Sequence, residues 1–131
     1  MSVGVLYDVR YGRHETFDRV VFDFRDARPG YRIEYVTPPI VQDGSGLPVH
    51  ISGEGFLQVR FNVAVAHDDA GQPTYLGPRE IFPALPALLE IEQTGDFEAY
   101  VTWVIGLPGE LPFRVLELSD PYRIALDIKH P

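Results

Sequence analysis

Twelve prolines and twelve glycines cut this 131-residue chain into short pieces, and what lies between the cuts mostly alternates apolar with polar residues. Proline fixes φ and removes a ladder donor, and glycine loosens the backbone, so long helices have little room. Strand side chains repeat every two residues and point to opposite faces. The chain therefore reads as antiparallel β-structure. Its length suits one domain that buries about two-thirds of its unfolded surface.

In R-V-V-F-D-F, Arg19 to Phe24, the residues Val20, Phe22 and Phe24 share an inward face, while Arg19, Val21 and Asp23 share the other. After R-P-G at Arg28 to Gly30, a second strand alternates Tyr31, Ile33 and Tyr35 with Arg32 and Glu34. F-L-Q-V-R-F-N-V-A-V-A, from Phe56, is the clearest strand and places Leu57, Val59, Phe61, Val63 and Val65 on one face. From Ala66 to Pro83 there is no lasting period and three prolines occur; this predicts a long surface loop, the kind of segment that often carries function. Ala84 to Glu92 is predicted to open with a helical turn at Pro86. T-G-D at Thr94 to Asp96 is read as the turn into F-E-A-Y-V-T-W-V-I-G, whose two apolar faces predict a central strand covered on both sides. F-R-V-L-E-L and Y-R-I-A-L-D-I, joined by S-D-P, form a closing hairpin. The sum is an all-β, mainly antiparallel two-sheet sandwich of about seven strands and one short helix.

The pattern Arg, apolar, small, apolar, Asp, apolar occurs twice, at Arg19 to Phe24 and at Arg123 to Ile128. Arg and Asp four residues apart along a strand are roughly 13 Å apart, too far to touch. Their partners must lie on other strands. A pair formed across the sheet specifies register more than it adds stability, and Arg19, Asp23, Arg123 and Asp127 are accordingly read as structural.

A formal net charge of −8, with 11 dispersed Lys and Arg, would repel a phosphate backbone, so nucleic acid is not an expected partner. No apolar run approaches the ~20 residues needed to cross a bilayer, and the first dozen residues have neither the basic start nor the apolar core of a signal peptide. The absence of cysteine excludes disulfides, thiolate metal sites and cysteine nucleophiles.

None of the four serines stands in G-x-S-x-G, and D-G-S-G at Asp43 to Gly46 reads as a hairpin turn. His14-Glu15 lacks the second histidine of a zinc-protease helix, and His67-Asp68-Asp69 lacks the spacing of a calcium loop. No phosphate-binding glycine loop is present. The expectation is therefore no metal, no cofactor and no catalytic set. Trp103, among Val101, Val104 and Ile105, reads as core. Tyr75 and Arg79 share the polar loop, where a ring and a guanidinium could meet a ligand together with His67 and Asp68.

F-D-R-V-V-F-D-F, P-G-Y-R-I-E-Y-V, P-P-I-V-Q-D-G-S-G, F-L-Q-V-R-F, P-T-Y-L-G-P-R, Q-T-G-D-F-E, W-V-I-G-L and P-F-R-V-L-E-L-S-D-P-Y-R-I-A-L-D-I stand in that order. In this order they resemble the AMIN-like domain of bacterial exported proteins and lipoproteins, from about Thr16 to His130. That family is similar to the AMIN domain found beside cell-wall amidases and secretin subunits. The resemblance implies a β-sandwich-like, non-catalytic module of the cell envelope, exported and associated with peptidoglycan binding. Residues 1–15 are then an N-terminal extension and residues 16–131 a single domain, although neither a signal peptide nor a lipobox cysteine stands at the front. The expected partner is a cell-wall polymer. The alternatives are an envelope protein docked on an exposed strand edge or a glycoside hydrolase that uses Asp68 or Asp69 with Glu80.

Overall fold

The alternating segments pair into two five-stranded sheets that share one apolar core. The structure is a computed structural model describing residues 2–131. Its strands are β1 (Gly4–Arg13), β2 (Phe17–Arg25), β3 (Gly30–Tyr35), β4 (Ile40–Val41), β5 (Pro48–Val49), β6 (Gly55–Asn62), β7 (Ala64–Val65), β8 (Glu80–Ile81), β9 (Glu90–Phe97), β10 (Tyr100–Leu107), β11 (Phe113–Leu118) and β12 (Tyr122–Lys129). The first sheet runs β11-β12-β2-β1-β7, the second β3-β6-β10-β9-β8, and β4-β5 is a separate hairpin. Among the described residues all strand pairings are antiparallel except β1 with β7. The all-β sandwich is as expected, but among the described residues there are twelve strands rather than about seven, and no helix.

Val20, Phe22, Phe24, Ile124, Leu126 and Ile128 are all fully buried. They line the inner face of the first sheet, against Leu57, Val59, Phe61, Val101, Trp103 and Ile105 of the second. Phe22 packs edge-on to Phe61 and Trp103, with ring centroids 5.0 and 5.9 Å away. Trp103 is core, as its neighbours in sequence suggest. β10 lies mid-sheet and is buried on both faces from Val101 to Leu107. Its outer face is covered by the segment around β4 and β5, where Ile40 and Ile51 pack on Val104. Gly106 is required there, because any Cβ would strike the Ser52 carbonyl.

Local detail departs from the sequence reading in places. Ala84 to Glu92 is not helical, because its amides are drawn to distant acceptors: Ala87 N–H to the fully buried Asp18 carboxylate at 2.7 Å and Leu89 N–H to Gly106 O at 2.9 Å. Thr94 to Asp96 lies inside β9, and the turn falls at Glu98 and Ala99. Residues 28–30 carry the chain from one sheet to the other, since β2 and β3 do not pair. Past Asn62 the alternation of the β6 segment reverses. Ala64 and Ala66 are buried while Val63 and Val65 are only half so, because the chain leaves the second sheet to pair with β1 of the first. The stretch read as an N-terminal extension contributes β1, which pairs with β2 and buries Leu6.

The repeated Arg/Asp pattern meets itself. β2 and β12 are adjacent and antiparallel, so Arg19 faces Asp127 and Asp23 faces Arg123. Arg19 holds Asp127 in two contacts, Nε to Oδ1 at 2.6 Å and a second nitrogen to Oδ2 at 3.0 Å, and Arg114 Nε adds a third at 2.9 Å. The other half differs. Asp23 is taken by Arg10 at 3.2 Å, while Arg123 turns to the carbonyls of Ser119 and Pro121.

Candidate functional site

The parallel β1–β7 edge of the first sheet opens into a cleft of about 830 Å³, lined among others by Tyr7, Asp26, His67, Asp68, Asp69 and Thr74. The loop after β7 builds one wall. Asp68 folds that wall through its own side chain: Oδ1 accepts from Ala70 N and Gln72 N, both at 2.9 Å, a local turn that short carboxylates favour. A His67–Pro73 bridge closes the same turn. Thr74 anchors its far end by donating from Oγ1 to Leu6 O at 2.8 Å.

His67 is held by a residue that gave no signal in the sequence. Its Nδ1 lies 2.6 Å from Asp96 Oδ2, and Asp96 Oδ1 also accepts from Ala66 N at 3.2 Å. Asp96 thus sits on β9 of the other sheet and fixes the imidazole across the sandwich. Tyr7 is more than a third exposed, and its ring carries the Arg25 guanidinium 3.8 Å from the centroid, a cation–π contact that steadies the ring. Neither Tyr7 nor Asp26 stood out in the sequence, because each occupies an ordinary place at a strand or its end.

Of the four residues expected to meet a ligand, the structure brings two together. His67 and Asp68 share the cleft. Tyr75 does not, being 5 % exposed, packed edge-on to Trp103 at 5.6 Å and donating its hydroxyl to Pro78 O at 2.7 Å. Burial, with the Asp8 charge adding to it, raises its phenol above the ordinary value. Arg79 is exposed just before β8, where its carbonyl accepts from Gln93 N. Glu80 lies outside the cleft, on the second sheet opposite Glu92, so the carboxylate pair imagined for glycoside hydrolysis is not assembled there.

The cleft gathers three aspartates around one histidine, which favours amines and hydroxyl donors over anions. The Asp96–His67 contact has the geometry of the orienting half of a catalytic triad, but among the described residues no hydroxyl hydrogen-bonds to His67, and the hydroxyl of Thr74 is committed to Leu6. No helix among the described residues is long and apolar enough to cross a membrane. No curated protein and no solved structure matches the chain. A family model described as the AMIN-like domain matches residues 4–130, a span that takes in both sheets, and the chain belongs to that family.

Proposed function

We propose that this domain is a non-catalytic binding module of the bacterial cell envelope, with a peptidoglycan component as its ligand and the cleft beside β1 and β7 as its site. The observation that carries the reading is the AMIN-like family match over residues 4–130. The cleft's chemistry supports it. An exposed tyrosine ring can lie against a sugar or an apolar stem, while Asp26 and Asp69 suit the free amine of a peptide stem. His67, fixed by Asp96, offers one oriented hydrogen bond without ordering cost.

The alternative of strand addition at a sheet edge has less support. β3 exposes Arg32 and Glu34, charges of the kind that protect edges, and Tyr31 and Arg28 lace this side to Glu117 of β11. The test is co-sedimentation with purified sacculi, comparing wild type with Tyr7→Ala, His67→Ala and Asp69→Asn after each is shown to unfold like wild type. Binding by wild type that falls in these variants supports the reading. Failure of wild type to sediment removes peptidoglycan as the ligand, and undiminished binding by all three variants removes the cleft.

A further inference from the structure

The other edge of the second sheet carries three carboxylates that the family reading does not use. β8 pairs with β9 so that Glu80 stands opposite Glu92, and Glu90, two residues before Glu92, points to the same outer face. We propose that Glu80, Glu90 and Glu92 form a binding site for a hard divalent cation of calcium size.

Each of the three residues offers a carboxylate oxygen, and these oxygens all lie within 4.8 Å of one another. Two oxygens bonded to one calcium ion at ~2.4 Å can be no farther apart than ~4.8 Å. The burial is the second observation. Glu90 is 1 % exposed, and although its Oε1 accepts from Ser52 N at 2.9 Å, its Oε2 is buried with no partner, as is Oε2 of Glu92. Among the described residues no Lys, Arg or His nitrogen pairs with any of the three. A buried carboxylate oxygen left without donor or counter-charge carries its desolvation cost uncompensated, and a cation supplies what is missing.

Burial, with the charges of Glu80 and Glu90 beside it, pushes the Glu92 carboxyl up to about 8. An all-oxygen donor set selects calcium, magnesium or manganese over zinc or copper. Magnesium demands near-ideal octahedral geometry with shorter bonds and dehydrates reluctantly, so a cluster of three carboxylates on two paired strands suits calcium better. The bound ion would tie the end of the loop that walls the cleft, at Glu80, to β9, and through Ser52 to the segment covering β10.

The test uses the full chain stripped with chelator and titrated with calcium and with magnesium at pH 8, by calorimetry and by thermal unfolding. The variants are Glu80→Gln, at an exposed position that leaves folding intact, and Glu80→Gln/Glu92→Gln. The expected result is one calcium site in wild type, a higher Tm with calcium, affinity reduced at least about tenfold in the single variant and lost in the double. Absence of calcium-dependent heat or Tm change in wild type up to ~10 mM, well above the range of weak extracellular sites, would overturn the proposal. So would an equal response in the double variant, which would show only screening of the net negative charge. A magnesium affinity equal to that of calcium would overturn the assignment of ion size. None of these outcomes depends on whether the domain binds sacculi.

Discussion

Asp23 and Asp127 occupy the same place in a repeated pattern, yet their surroundings give them different weight. Asp127 is 3 % exposed and accepts from two arginines, whereas Asp23 meets only the half-exposed Arg10 and keeps one oxygen unpartnered. Asp127→Asn is expected to cost about 1–3 kcal/mol, below the figure for a fully buried pair because both arginines can turn to water. Asp23→Asn should stay within about 0.5 kcal/mol; urea midpoints compare them. Burial alone would raise the Asp127 carboxyl, but the hydrogen bonds from Arg19 and Arg114 outweigh it and leave it below its ordinary 3.8. A carboxyl depressed on folding stabilises above its unfolded value, and that stability is lost as pH falls through the folded value. Wild type should therefore lose more stability than Asp127→Asn on acidification below about pH 4. Tyr75 teaches the opposite lesson. Nothing in P-T-Y-L-G-P-R distinguishes a ring that meets ligand from one that completes the core, since a loop residue has no periodicity to declare its face. Tyr75→Ala should cost about 3–5 kcal/mol like other buried aromatic truncations, while Arg79→Ala leaves the unfolding midpoint unchanged.

Strands were legible wherever one alternation lasted a whole element, as in β2, β6 and β12, because burying one face of a sheet fixes the register of every residue in it. Legibility failed where a segment changed partners. Val63 and Val65 continue the period of β6 in sequence, but the chain passes to the first sheet there and the inward positions become Ala64 and Ala66. The turn between β9 and β10 was missed for a related reason. T-G-D has the residues of a turn, whereas the actual two-residue connection, Glu98 and Ala99, has φ of 52° and 66°. Tight hairpins with two left-handed residues favour Asn-Gly, and non-glycine residues there are strained. Glu98→Asn with Ala99→Gly should stabilise the domain by roughly 0.5–1 kcal/mol, the relief of strain exceeding the added freedom of glycine in the unfolded chain. A denaturation midpoint that fell in the double variant would show that Glu98 or Ala99 makes a contact worth more than the strain.

At the scale of the whole molecule the two candidate sites were legible only in part for a common reason: each is completed by a contact between strands that no local pattern declares. Asp96 reaches His67 from the opposite sheet, and Glu80 meets Glu90 and Glu92 only through the β8–β9 pairing. Both are acidic, on a chain of net charge −8, and this sets the sign of a salt effect. A ligand held by its amine in the Asp26–Asp69 cleft is attracted by the local and the overall charge alike, so its affinity should fall as salt rises. An intact anionic wall polymer is repelled at long range, and the Debye length shrinks from about 30 Å at 0.01 M to about 8 Å at 0.15 M. Association with whole sacculi should therefore strengthen over that interval while binding of a soluble amine-bearing stem fragment weakens. Measuring both on the same protein separates the field of the molecule from the chemistry of the cleft. If stem-fragment affinity rose with salt, the aspartates of the cleft would not be what holds it. If sacculus binding fell with salt while the fragment was ignored, attraction would have to come from a basic group outside the cleft, and exposed Arg79 would be the first residue to replace.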